Sequence, residues 1–487
     1  MNKAITLQEL LGFTTSLDHI EVTSLTDDSR KVQPGALFLA YQGSCGDGKA
    51  YLEDAIKRGA VAVLLDAPVA KALTVPSLVI PDLKNLVATL ADRFYHHPLN
   101  SLALYGVTGT NGKTSTTYYL AQLLEGLGVA SAVVGTTGYG VLGKLETSIN
   151  TTPGAVTLRA MLAQLRDANI KSVALEVSSH SLVQERTLGL KFNAVIFTNL
   201  TQDHLDYHHT MENYAKAKFK LFYDYAAKHL VVNADDAWGQ QLIEAFKDDA
   251  RLITFSAKGN KADLVATNVG VETGSIQATL QFHQKKAQLT LPLIGMFNLA
   301  NVLAAFAALL AEGYPLQVLS KLAAKLSAVT GRMQVVKNGH VKAKLVVVDY
   351  AHTPDALTKA LLSLKPYVKA EGKLYVVFGC GGDRDHTKRP IMGSIAAKYA
   401  DRVVITSDNP RSESPNHIIE DILSGVTDVQ RTKVTVEPNR SAAIHLALAE
   451  AKELDIVLVA GKGHETYQII GDQTLPFSDQ QEISNFI

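Results

Sequence analysis

The stretch Gly106-Val-Thr-Gly-Thr-Asn-Gly-Lys-Thr114 constrains this chain more than any other. An apolar run, Leu102 to Tyr105, leads into it, and a helix is expected from about Ser115. Strand, glycine-rich turn, Lys-Thr and helix is the order of a phosphate-binding loop. The glycines let backbone N–H groups turn inward around phosphate oxygens, and the helix N-terminus adds positive potential. Lys113 can reach the β- and γ-phosphates, and the Thr114 hydroxyl can bind Mg²⁺. A helix-capping turn that happens to contain glycines is the bland alternative. Five residues separate Gly106 from Gly112, one more than in the usual loop, so a nucleotide site of unusual spacing is expected.

At 487 residues the chain exceeds a single core, and about three domains are expected. The residues are 47% hydrophobic and 19% charged, with zero formal net charge. That balance carries no chain-wide footprint for nucleic acid or an anionic membrane. Cys45 and Cys380 are the only cysteines, which excludes a disulfide framework and fits a reducing cytosol. The first residues, Met1 to Glu9, lack a signal-peptide core. The most apolar helical run, Leu299 to Ala311, is shorter than the ~20 residues of a membrane span. A cytoplasmic protein without a membrane span is expected.

Short β runs at Ala36–Ala40, Ala60–Leu65 and Ser77–Ile80, with a helical pattern at Tyr51–Arg58, describe a small N-terminal α/β unit. The polar cluster Thr26-Asp-Asp-Ser-Arg30 and the loop Gly43-Ser-Cys-Gly-Asp-Gly48 there could hold a ligand's polar head or serve only as turns. After a linker at His97–Asn100, strands at 130–134, 172–177 and 194–199 alternate with helical stretches, a mostly parallel sheet. Ligands gather at strand carboxyl ends in such sheets. Glu176 stands at one such end and could hold Mg²⁺, or simply be a solvated acid. Asp203-His-Leu-Asp-Tyr-His-His209 invites a zinc reading, but its spacing is not diagnostic, and His204 beside a Mg²⁺–phosphate group fits better than zinc. A structural His204 is the alternative. A helix over Glu212–Tyr225 carries Lys216, Lys218 and Lys220, ordinarily a solvated face. From Ile253 to Leu291 the period changes to two, an antiparallel excursion. Asn298 and Asn301 then share the first turn of an Ala/Leu-rich helix, as base ligands or as caps. Beyond Arg332, four apolar strands end in Asp349-Tyr-Ala-His-Thr-Pro354, Gly379-Cys-Gly-Gly-Asp-Arg-Asp385, Asp408-Asn-Pro-Arg411 and Gly461-Lys-Gly-His-Glu465. This is a doubly wound, Rossmann-like pattern with its functional groups on one rim. No Gly-x-Gly-x-x-Gly fingerprint accompanies it.

Together these segments resemble the Mur ligases, ATP-dependent amino-acid-adding enzymes of peptidoglycan synthesis. The resemblance rests on the long loop, Gly295-x-Phe-Asn-x-x-Asn301, Gly331-Arg332 and Asp349–Pro354. Asp28-Ser-Arg30, Asn150-Thr-Thr-Pro153, Glu176–His180, Asp203–His208 and the rim motifs resemble the branch that extends UDP-MurNAc-L-Ala-D-Glu. The resemblance implies three domains, at residues 1–97 for the UDP substrate, 98–331 for ATP and 332–487 for the amino acid. It implies Ser29 at the UDP end, and Thr151, Thr152, Ser178 and Arg186 along the muramoyl-peptide. Gly109, Thr110, Asn111, Gly112, Lys113, Thr114, Ser115, Asn298, Asn301, Arg332 and Asp349 would serve ATP. Lys113, Glu176, His204 and Lys218 would be catalytic, with Thr114, Glu176, His204 and Lys218 around Mg²⁺. Lys218 matches the family lysine that CO₂ converts to N6-carboxylysine. Ser44 stands where the family often has His.

The implied chemistry is activation of a carboxylate as an acyl phosphate, followed by attack of an amine. Mg²⁺ and Lys113 would neutralise the developing charge, and no protein nucleophile is needed. Asp408-Asn409-Pro410-Arg411 resembles the signature of enzymes that add meso-diaminopimelate. Arg389 and Arg411 are expected on its distal carboxylate, and Gly461 and Glu465 on its distal amino group. Lysine is the alternative acceptor. A mechanical or regulatory P-loop ATPase would leave the Asp408–Arg411 cluster unexplained, and a folylpolyglutamate synthase would lack the first domain. A monomer is expected.

Overall fold

The computed structural model describes residues 4–43, 46–148, 150–272, 274–343 and 345–486. Ser44 and Cys45, and with them the expectation attached to Ser44, lie outside the described residues, as do Met1 to Lys3. The chain forms two compact units, residues 1–255 with 304–313, and residues 256–303 with 314–487.

The first unit holds two larger sheets beside the short antiparallel pair Ile5–Thr6 and Glu21–Val22. The N-terminal one is parallel, in the order Ser24–Thr26, Ala36–Ala40, Ala60–Leu65, Ser77–Val79. Its central strand Ala36–Ala40 is buried on both faces, which explains why it reads as an unbroken apolar run. The helix Leu83–Phe94 covers one side with Leu83, Val87, Leu90, Ala91 and Phe94, a 3.6-period stripe. The second sheet places Ala103–Thr108 between Ser172–Glu176 and Lys191–Phe197, all parallel. Ser131–Gly135 lies beyond the former and Ala226–Asn233 beyond the latter. Register pairs Glu176 with Val107 and Phe197 with Thr108, so three strand ends meet beside the glycine-rich loop. Two expectations shift. The helix after the loop, Lys113–Gly126, starts two residues early, so Lys113 and Thr114 occupy its first turn. Leu252–Ser256 is a parallel partner of Ala226–Asn233, not part of the antiparallel excursion. An alternating run of this length fits parallel and antiparallel pairing alike, so its period does not give the direction.

In the second unit the excursion is a meander of Leu264–Glu272, Ser275–Phe282 and Lys285–Leu291. The C-terminal sheet runs Gln334–Val335, Leu345–Asp349, Ile456–Ala460, Leu374–Phe378, Arg402–Ile405, Val434–Val436, and only the first strand is antiparallel. Ile456–Ala460 therefore sits at the middle, which brings Gly461 between the ends of the Asp349 and Phe378 strands. Thr353 caps the helix Pro354–Leu364 by accepting from the Ala356 N–H, with proline at its first position. Part of the Asp349–Pro354 motif is thus a helix start. Among the described residues no helix is long and apolar enough to cross a membrane.

Candidate active site

The loop at Gly109–Gly112 is fastened from the end of the neighbouring strand. Asn199 brackets Asn111, accepting its N–H on Oδ1 at 3.0 Å and donating from Nδ2 to its carbonyl at 3.0 Å. The Asn199 carbonyl accepts the Thr110 N–H at 2.8 Å, and Thr198 Oγ1 donates to the Asn111 carbonyl at 2.7 Å. Gly109 has φ +146°, and a Cβ there would stand 2.0 Å from Thr198 Oγ1. Gly109→Ala is therefore expected to displace the loop and weaken nucleotide binding by about tenfold or more, read by titration with an ATP analogue; unchanged affinity would contradict this packing. Lys113 Nζ donates to the carbonyls of Gly109 and Thr110, each at 2.9 Å. Lys218 Nζ donates to the same Gly109 carbonyl at 2.8 Å, and lies 4.6 Å from the Tyr214 ring centre. Lys218 is only 1% exposed. Burial, and behind it the nearby Lys113 charge, lowers its ammonium well below the ordinary lysine value. The expected solvated lysine face holds for its neighbours Lys216 and Lys220 but not for Lys218.

Glu176 is 1% exposed at the end of its strand. Its carboxylate accepts from Thr136, at 2.9 Å from N–H and 3.1 Å from Oγ1. Thr136 Oγ1 is also 3.0 Å from Thr151 Oγ1. Thr152 Oγ1 donates to the Glu176 carbonyl at 2.8 Å and accepts the Ser178 N–H at 3.0 Å. Arg186 donates to the Thr152 carbonyl at 2.9 Å. Glu176, Thr151, Thr152, Ser178 and Arg186 are thus one hydrogen-bonded patch. Thr152 is fully buried and its hydroxyl is engaged by the protein, so it shapes the patch.

His204 stands at φ +52° at the head of a short helix, with its ring 5.0 Å from that of His180 and 5.9 Å from that of Tyr214. His208, beneath them, meets Ser179 Oγ at 2.9 Å, and burial pushes its imidazole down to about 4. Ser29 opens a 3₁₀ turn capped by Asp28, which also takes Arg30 through two side-chain bonds of 2.9 Å. Ser29 is 6% exposed and hydrogen-bonds Asp54. Nearby, Tyr41 donates to Asp27 at 2.8 Å and lies within electrostatic reach of Arg186. The Ser29 sheet therefore approaches the Thr152 patch within one unit.

In the second unit Asp349 accepts the Met333 N–H at 2.8 Å, and burial raises its carboxyl. Arg332 lies over the Tyr350 ring at 4.9 Å. Gly331 packs against Gly463 and His464, where a Cβ would come within 2.1 Å of backbone. Asn298 Nδ2 donates to the Ile294 carbonyl at 2.7 Å, and Asn301, one turn on, is 5% exposed.

The rim of the C-terminal sheet gathers three of the strand-end motifs. Gly461 has φ +117°, and a Cβ would meet Asp408 Oδ2 at 2.7 Å. Asn409 Nδ2 donates to Glu465 Oε2 at 2.9 Å. Pro410 passes the chain to Arg411 at φ +52°, whose N–H and carbonyl are held by Ile469 and Gly471. Arg411 Nη1 donates to the Gly382 carbonyl at 2.8 Å. Arg389 departs from its expected placement. It is 1% exposed, with Nη1 on Asp421 at 2.8 Å and Nη2 on Glu413 at 2.9 Å, so its fork is committed to two carboxylates. The periodicity of Arg389, Met392, Gly393, Ala396 and Ala397, all buried on one face of the helix Lys388–Tyr399, was the signal that it points inward. Arg384 is the exposed arginine of this stretch, and both it and Arg411 flank Gly381.

Among the described residues no group of three or more His, Cys, Asp or Glu could hold a metal by itself. Glu176 is buried, yet no ion pair among the described residues reaches it, and its partners from Thr136 are neutral. An oxygen donor of that kind suits a hard divalent cation shared with phosphate oxygens.

Three family descriptions match the chain, "Mur ligase family, catalytic domain" over residues 21–95, "Mur ligase middle domain" over 107–309 and "Mur ligase, glutamate ligase domain" over 331–463. The chain is 46% identical over 464 residues to the UDP-N-acetylmuramoyl-L-alanyl-D-glutamate–2,6-diaminopimelate ligase of Pseudomonas syringae pv. tomato, covering 95% of this chain and 94% of that one. The protein of that name from Vibrio vulnificus is 44% identical over 478 residues, covering 97% and 95%. A solved structure with that name superposes with a TM-score of 0.74 at 33% identity, covering 99% of this chain and 98% of that chain.

Proposed function

This chain belongs to the Mur ligase family, and on that premise we propose that it joins meso-2,6-diaminopimelate to UDP-MurNAc-L-Ala-D-Glu at the expense of ATP. The observation that carries the reading is the single rim shared by the phosphate loop, Glu176 and the Thr152 patch. Such a rim sets a bound triphosphate beside a bound carboxylate. The domains we assign are residues 1–97 for the UDP substrate, 98–331 for ATP and 332–487 for the amino acid, in a cytoplasmic monomer.

In the first step the substrate carboxylate takes the γ-phosphoryl group and ADP leaves. In the second the amine attacks the acyl carbon and phosphate leaves. Lys113 would swing from the loop carbonyls to the phosphates, while Gly112 to Ser115 would present backbone N–H groups and hydroxyls to them. Gly109, Thr110 and Asn111 would shape the loop, the N–H groups of Thr110 and Asn111 being held by Asn199. Asn298, Asn301, Arg332 and Asp349 would bind the rest of the nucleotide. Ser29 would meet the uridine end, and Thr151, Ser178 and Arg186 the peptide, with Thr152 shaping their support. Glu176, His204 and the Thr114 hydroxyl would hold Mg²⁺, which supplies charge neutralisation when bound. Lys218 is the residue we assign to N6-carboxylysine, because a buried, easily deprotonated amine is the form that reacts with CO₂. No chain nucleophile takes part.

For the acceptor, Asp408, Asn409, Pro410, Arg411, Gly461 and Glu465 would form the site. Arg384 replaces Arg389 beside Arg411 as the second guanidinium for the distal carboxylate, since Arg389 is bound to Glu413 and Asp421. Lysine has no distal carboxylate to offer that pair.

Purified protein with ATP, Mg²⁺ and UDP-MurNAc-L-Ala-D-Glu is expected to release phosphate and form a product of matching mass with diaminopimelate, and little with lysine. Phosphate release without ligation would sink the ligase reading, and preference for lysine would sink the acceptor. Arg384→Ala and Arg411→Ala should each raise KM for diaminopimelate by about tenfold or more with KM for ATP unchanged.

A further inference from the structure

Lys462 carries an ammonium to which the reaction above assigns no task. Its side chain is fully buried, an arrangement that lysine sustains only where partners replace its hydration. Nζ donates to Asn409 Oδ1 at 3.1 Å and to Glu465 Oε2 at 2.8 Å. Asn409 Oδ1 also accepts the Ile469 N–H at 2.9 Å. With two donors aimed at Oδ1, a flipped amide would set NH₂ against both of them, so Nδ2 is directed at Glu465. Glu465 Oε2 in turn receives both Asn409 Nδ2 and Lys462 Nζ. Among the described residues no donor is recorded on Oε1, and the side chain is 15% exposed.

We propose that Lys462 is a positioning residue for the distal ammonium of the incoming diamino acid. By engaging Asn409 Oδ1 and Glu465 Oε2, it leaves Glu465 Oε1 as an acceptor and the second Nδ2 hydrogen of Asn409 as a donor. That pair matches an ammonium and a carboxylate on the same carbon atom, and the inference rests on the ligase reading above. Without the ammonium, Glu465 keeps only Asn409 of the two donors on Oε2, and Asn409 Oδ1 keeps only the Ile469 N–H, so both side chains are held less tightly.

The test uses the whole enzyme with ATP, Mg²⁺ and UDP-MurNAc-L-Ala-D-Glu, and compares meso-diaminopimelate with L-2-aminopimelate, which keeps the distal carboxylate but lacks the distal amine. Lys462→Met is expected to lower kcat/KM for diaminopimelate by about tenfold or more, through KM. The loss for L-2-aminopimelate should stay within about threefold, so the ratio between acceptors collapses, with KM for ATP unchanged. Equal losses on both acceptors would mean a general structural role and overturn the proposal. If Lys462→Met does not fold, Lys462→Met combined with Glu465→Gln removes both charges together. Set against Glu465→Gln alone, the combined variant should lose no further discrimination, whereas an additive loss would overturn the proposal. A wild-type enzyme that ligates no diaminopimelate would defeat the function itself. A wild type that does so while Lys462→Met keeps the wild-type acceptor ratio would defeat only the role of Lys462.

Discussion

Lys113→Met is expected to lower ligation by about a thousandfold or more while leaving the fold in place. The ammonium sits at the first position of the helix Lys113–Gly126, 2.9 Å from two carbonyls of the loop that would wrap the phosphates. Methionine keeps the aliphatic stem and its packing but removes the charge that would travel with the transferring phosphoryl group. The side chain is only partly buried, so its loss should hardly move the unfolding transition. Rates of phosphate release, measured alongside a urea transition, separate the two effects. Turnover within tenfold of wild type would remove Lys113 from the mechanism.

The largest effect on stability is expected at Arg440. Its guanidinium donates to Asp479 through Nε and Nη2, each at 2.8 Å, and both side chains are 0% exposed. Nη2 also reaches the Ala460 carbonyl at 3.0 Å. Arg440→Met would strand a buried carboxylate and two carbonyls, a change that costs about 3–5 kcal/mol. Arg440→Met with Asp479→Leu removes both charges and should recover most of that loss. Denaturant titration of the single and double variants checks both statements. A single variant within about 1 kcal/mol of wild type would show that the pair contributes little.

Features set by local spacing were legible in the sequence. The loop could be read because strand, glycines and Lys-Thr are contiguous, and the strand-end clusters because each follows an apolar run. Contacts made across the sheet were not. Nothing near Asn199 in sequence shows that its amide brackets Asn111, since that depends on the parallel pairing of two strands. Among the three lysines of its helix, spacing alone does not set Lys218 apart; the family resemblance does, and the burial of its helix face supplies the physical reason. Arg384 and Arg389 are five residues apart in a polar stretch, and composition cannot rank them. The helical period beginning at Lys388 can, because it turns Arg389 into the core and starts only after Arg384.

Arg440 reaches the carbonyls of Ser407 and Ala460, the residues that immediately precede Asp408 and Gly461. The two segments we assign to the acceptor therefore hang from one guanidinium, although more than fifty residues separate them in the chain. For anyone redesigning which amino acid is added, Asp408–Arg411 and Gly461–Glu465 are a single cassette. Exchanged together above an intact Arg440, they should transplant between relatives; exchanged one at a time, they should clash at the contact between Gly461 and Asp408.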